Sequence, residues 1–214
     1  MKSKVTTAPS VEPVTLAEVK AHLRLGTSTA EDSLLTQFIT DARDIAERYT
    51  GRKFITQTLT GYTMPGYGAD EPWWNGTKVG SIDYLNTWTR EFSLGWGNAQ
   101  SITSIDTIAR DNTEAVYASS NYYLDNFDDD AIPAVKLNND ADGFGSLRYE
   151  NGIKIIWVAG YGSTASDVPA GLRRGILQLV GHIYSNRGDC VEPSQCVQSA
   201  GASAMLSSFR IERI

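Results

Sequence analysis

The chain has 214 residues, 41% hydrophobic and 21% charged, with a formal net charge of -6. That is the composition of a folded soluble protein. The acidic balance argues against adhesion to nucleic acid or an anionic membrane, though not against a surface that DNA slides past. No apolar run approaches the roughly 18 residues of a membrane span. MKSKVTTAPS at 1–10 has no apolar core behind its positive charge, so a secretory leader is not expected.

Residues 1–14 are polar, contain Pro9 and Pro13, and read as an extended arm. Thr15 opens a short helix, with Glu18 at capping-box spacing and a stripe of Leu16, Val19 and Leu23. Gly26 is expected to end it. The longest periodic stretch is 30–50, where Leu34, Leu35, Phe38, Ala42, Ile45, Ala46 and Tyr49 recur in threes and fours. Gln37, Asp41, Arg43, Asp44, Glu47 and Arg48 fall on the other face. Ser28 with Glu31 has capping-box spacing, and Gly51 stands at the left-handed C-terminal position.

After Gly51 the period changes from helical to alternating. Strands are predicted at 54–63, 90–94, 102–109, 115–117, 122–126, 134–137 and 154–159, and 64–80 is a loop rich in Gly and Pro. IKIIWV at 153–158 is the most apolar, and is expected to be the central strand of an antiparallel sheet or small barrel. Asp167 or Ser166 should cap a third helix, striped by Val168, Leu172, Ile176, Leu179, Val180 and Ile183. Residues 189–204 read as flexible, and AMLSSFRIERI closes the chain as an amphipathic tail.

The pattern is therefore α+β: a small helical bundle, two N-terminal helices plus a C-terminal helix, with an inserted antiparallel β-region and an extended C-terminal tail. The expected divisions are 1–55 for the arm and helical hairpin, 56–165 for the β-region, 166–188 for the third helix, and 189–214 for the linker and tail.

Candidate chemistry is thin. Asn138, Asp140, Asp142 and Gly143 resemble an EF-hand start, but the twelfth position is Tyr149 and not a bidentate Glu. Asp125, Asp128, Asp129 and Asp130 read as a solvated acidic loop. His22 and His182 lie between apolar neighbours, with no nucleophile elbow beside them. Cys190 and Cys196 read as two ordinary thiols, with a local disulfide as the alternative. Trp73, Trp74, Trp88 and Trp96 point to a subunit or partner interface, with sugar stacking as the minor alternative. No catalytic residue, cofactor site or metal site is expected.

Three separated pieces resemble one family. PVTLAEVKAHLRL at 13–25 and EDSLLTQFITDARDIAERYTGRKFITQT at 31–58 are similar to the start of tailed-phage head–tail connector proteins, the adaptor or head-completion proteins also found in prophages and gene-transfer particles. VAGYGSTASDVPAGLRRGILQLVGHIYSNRG at 158–188 and MLSSFRIERI at 205–214 match in the family's order. The resemblance implies a structural virion protein of the particle neck, assembled in the host cytoplasm. It implies a homo-oligomer, typically a dodecameric ring, below the portal. The ring would extend the DNA channel without sequence-specific DNA binding or membrane contact, and would carry the stopper or tail-completion protein. Within that resemblance the tail is expected to dock on the portal through Met205, Leu206, Phe209, Arg210, Ile211 and Arg213. Deleting 205–214 should then leave a folded monomer that no longer binds portal. A sugar- or receptor-binding β-module of a tail or baseplate is the alternative function.

Overall fold

The computed structural model describes residues 1–63, 91–127, 132–138, 141, 144, 146–148, 150–186 and 193–211. Trp73, Trp74, Trp88, Asp128, Asp129, Asp130, Asp140, Asp142, Gly143, Cys190 and Arg213 lie outside those residues. Eight strands and five helices follow in chain order among the described residues. They are β1 (Lys2–Thr7), α1 (Leu16–Leu23), α2 (Asp32–Thr50), β2 (Gln57–Thr63), β3 (Glu91–Ser93), β4 (Ala99–Ile108), β5 (Glu114–Val116), β6 (Tyr122–Asp125), β7 (Ala134–Leu137), β8 (Ile153–Ala159), α3 (Ala170–Asn186), α4 (Pro193–Ser199) and α5 (Ser203–Leu206).

The mixed α+β architecture is as expected. α2 and α3 pair along their apolar faces. Leu35, Ile39, Ala42 and Ala46 meet Leu172, Ile176, Leu179 and Val180, and α1 adds Val19. Burying one Leu or Ile side chain contributes roughly 1.5–3 kcal/mol, so this seam outweighs the weak intrinsic propensity of any one helix. The Thr15–Glu18 capping box forms in both directions. Its hydrogen bonds, that from the Thr15 backbone first among them, hold the Glu18 carboxyl below its ordinary range. Arg173 crosses from α3 to bond Glu18 and the Pro13 carbonyl.

The second core cluster spans two sheets. One has five strands in the order β1-β2-β8-β4-β5, the other three in the order β3-β7-β6, and every neighbouring pair is antiparallel. β8 is central, as its apolar sequence predicts. Its alternating burial aims Ile153, Ile155, Trp157 and Ala159 at the core. Phe92 of β3 and Val135 of β7 pack into the same cluster from the small sheet, and Phe92 meets Phe144 edge-on, centroids 5.7 Å apart.

Several local expectations are corrected. The arm at 1–14 holds a strand, because β1 finds backbone partners on β2 from Lys2↔Tyr62 to Thr7↔Thr58. The Ser28–Glu31 capping box does not form: the N-cap of α2 is Glu31, with no side-chain cap bond. Arg24, with φ 58°, ends α1, two residues before Gly26. The Asp167 cap belongs to a 3₁₀ turn at Ala165–Asp167, through Thr164, and α3 starts after Pro169. Residues 193–199 are helical where flexibility is expected, because Cys196 and Val197 find a place in the bundle core. Cys196 is disulfide-bonded, which corrects its reading as an ordinary thiol; Cys190 lies outside the described residues.

The largest correction concerns α2. Glu47, placed by sequence on the polar face, is fully buried at the junction with the β-region. Its carboxylate accepts from Lys53 Nζ at 2.8 Å, the Phe54 amide at 3.0 Å and Gln57 Nε2 at 3.2 Å, with Arg43 Nη1 at 3.7 Å. Lys53 also lies over the Trp96 ring, 3.9 Å from its centroid. The amide of Asn98 clamps the backbone of Lys53 on both sides, at 3.1 and 2.6 Å. This network fixes the turn from helix to sheet.

Candidate functional site: the tail seat

The C-terminal segment 203–211 lies in a seat built from glycines. Gly171 and Gly175 on α3 leave room for Phe209 and Leu206. A Cβ on Gly175 would sit 2.7 Å from Leu206 Cδ2. Gly97 does the same for Ile211, whose Cδ1 would be 2.2 Å from a Cβ there. The missing Cβ atoms let the tail approach the helix and the sheet edge closely. Backbone bonds then stitch it down. The Ile211 amide donates to the Thr50 carbonyl at 2.9 Å, and Arg52 Nε donates to the Phe209 carbonyl at 2.7 Å.

Five of the six tail residues singled out from sequence are described, and this geometry divides them; Arg213 lies outside the described residues. Leu206 and Ile211 are buried against their own subunit. Met205 and Phe209 are half-buried, and Arg210 is exposed, its guanidinium 5.3 Å from the Tyr49 ring centroid. A deletion of 205–214 would therefore strip core contacts, and the expectation that it leaves an intact monomer does not fit the burial. Leu206→Ala should cost about 2–5 kcal/mol, by lost transfer energy plus a cavity facing Gly175. The check is chemical denaturation. A change under about 1 kcal/mol would contradict the seat.

Beside the seat is an open cavity of about 590 Å³, walled by Arg52, Asn98, Gln100, Asn126, Gly160 and Phe209. Its amides are engaged in holding the walls: Gln100 Nε2 donates to the Gly160 carbonyl at 2.8 Å, and Asn126 Nδ2 to the Ala99 carbonyl at 3.0 Å. Among the described residues that line it, no nucleophile and base face each other. Among the described residues no group of three His, Cys, Asp or Glu could hold a metal ion, and no helix is long and apolar enough to cross a membrane.

The other candidates separate. His22 is exposed on α1 and stands over Gly181. His182 Nδ1 meets the side-chain amide of Asn186 at 3.0 Å. Asp125 pairs with Lys136 across β6 and β7, which holds its carboxyl below the ordinary range through that hydrogen bond. Asn138 bonds the Ser120 carbonyl. Trp96 is committed internally: its indole N–H donates to Ser3 Oγ at 3.1 Å. What the sequence missed is the glycine seat. Its only signal is the small-residue step Gly171–Gly175, one helical turn apart on α3.

Residues 13–74 match a family model described as phage gp6-like head–tail connector protein. No curated protein gives a significant match. Among solved structures, a chain in the neck of an empty gene transfer agent particle, computed with C6 symmetry, is 20% identical with a TM-score of 0.75. A chain in the virion of a native gene transfer agent particle is also 20% identical, with a TM-score of 0.73. A third, in the neck of the native particle computed with C12 symmetry, is 18% identical with a TM-score of 0.67. Each comparison covers 100% of this chain and 97% of the other. The resemblance to head–tail connectors thus holds in sequence over residues 13–74, and over its full length the chain shares the fold of chains in gene transfer agent particles.

Proposed function

We propose that this chain is a structural protein of a particle neck, an adaptor that forms a ring below the portal. In that place it extends the DNA channel and offers a platform for a stopper or tail. The observation that supports this most is the full-length likeness to neck chains, with the connector family's pattern inside it. Charge fits the role: at -6 per copy, a twelvefold ring would carry roughly -72 and disfavour DNA adhesion. Assembly in the host cytoplasm and residence in the virion neck follow from the same reading.

The portal contact is assigned to the tail. Leu206 and Ile211 seat it, and Met205, Phe209, Arg210 and Arg213 are its contact residues. Arg210→Glu should keep the fold, since the side chain is exposed, yet weaken portal binding, because a rim charge sets encounter and register.

Electron microscopy of the purified chain mixed with the portal protein encoded beside it tests the reading. Ring density below the portal, symmetric with it, is the expected result. A bare portal, with this chain left as a monomer, would overturn it.

A further inference from the structure

Among the described residues the five-stranded sheet ends in two strands, β1 and β5, with no strand beyond them. Tyr117 N donates to the Ile105 carbonyl at 2.7 Å, and the Ala115 carbonyl accepts from Thr107 Oγ1 at 3.1 Å. Residues 115 and 117 therefore turn their backbone groups toward β4. By alternation, Glu114 and Val116 turn theirs outward. At the opposite end, β1 pairs on one side with β2 and has no strand beyond it among the described residues. Each of these strands carries an exposed aliphatic residue, Val5 at 41% and Val116 at 78%. Open edges of this kind are ordinarily covered or blunted, because they template pairing with another chain.

The two ends are complementary. All neighbours in the sheet are antiparallel and there are five strands, so β1 and β5 run in the same sense. A rotation about an axis along the strands brings β5 of one copy beside β1 of the next as a parallel pair. The cross-sheet row Val116–Asp106–Lys154–Tyr62–Lys2 puts Glu114, Val116 and Lys4 on one face of the sheet. On that face the β5 end holds two carboxylates, Asp106 and Glu114, around the single ammonium of Lys154 at 3.3 and 3.0 Å. These three groups leave one net negative charge on that face, whereas the β1 segment KSKVTT carries two lysines and no acid.

We propose that β1 and β5 are the two halves of one interface between copies of this chain, and that in the ring the five-stranded sheets join edge to edge into a continuous wall. Every copy offers one edge of each kind, so the contact is head-to-tail and closes through rotation. The inference rests on the ring proposed above and adds the surface that makes it.

Val116→Pro tests it. Proline removes an outward N–H and leaves the β4–β5 ladder intact. The free variant should melt like the parent but form rings on portal about tenfold or more less readily. Hydrogen exchange on the unmutated chain is the second measurement. Amides of Glu114, Val116 and β1 should all slow by about tenfold or more on ring formation. Rings from Val116→Pro at the parental level would overturn the proposal. So would rings in which only one edge, or neither, gains protection. Absence of any ring from the unmutated chain would instead overturn the neck reading beneath it.

Discussion

Glu47→Ala should lower stability by about 3–5 kcal/mol. The loss is large because the carboxylate is the hub of a buried polar junction, bonded to Lys53, the Phe54 amide and Gln57. Removing it leaves the Lys53 ammonium buried, with the Trp96 ring for support among the described residues, and leaves a buried amide donor without its acceptor. For a chain of this size that corresponds to a fall in Tm of roughly 6–20 °C. Glu47→Gln preserves shape and hydrogen bonding but not charge, and should lose less. Calorimetry on both variants is the check. Equal, small losses would mean the junction is held by packing alone.

Gly160→Ala should be of comparable size, about 3–5 kcal/mol. The residue has φ 143°, where a side chain is strained. A Cβ there would lie 2.5 Å from the Thr56 amide nitrogen and 2.7 Å from the Ile55 carbonyl carbon. Those are backbone atoms, so no side chain can swing away. The strain would fall where the Thr56 amide bonds the Gly162 carbonyl and the Tyr161 amide bonds that of Phe54. Gly26→Ala is the control. It also has positive φ, but nothing lies within 4 Å of the added methyl, so about 1 kcal/mol is expected. Urea denaturation of the pair separates clash from conformational cost; losses of equal size would contradict the close approach.

The elements that sequence located well are those whose partner does not matter to their pattern. α2 and α3 carry their stripes whatever they pack on, and β8 is apolar enough to be central in any sheet. The Thr15–Glu18 box is local, so spacing alone predicts it. The failures share a cause. β1 is polar and becomes a strand only because β2 offers it a free edge. Glu47 is charged, and nothing in its helix shows that Lys53, Phe54 and Gln57 will fold back to meet it. α4 is short and rich in Ser and Gln, so its order comes from where Cys196 and Val197 land. The tail residues stand out in sequence by apolar and cationic character, and two of the apolar ones, Leu206 and Ile211, are buried against their own subunit. The seat itself leaves only the Gly171–Gly175 step in the sequence, since an absent Cβ gives no apolar periodicity.

The stitch between Ile211 and Thr50 has a consequence for synthesis. α2 ends at Thr50 and α3 begins at Ala170. At roughly 5–20 residues per second a ribosome takes about 6–25 s to make the intervening chain. During that time the greasy side of α2 has only α1 to lean on. The β-region can pair its own strands as they emerge, but the bundle closes only when α3 and then the final segment have cleared the exit tunnel. A prematurely terminated product lacks its lid and shows an uncovered apolar helix to the cell's proteases. A chain that stops short of Ile211 lacks the stitch to Thr50 and should be cleaved by protease faster than the full chain, which limited proteolysis of the two would check.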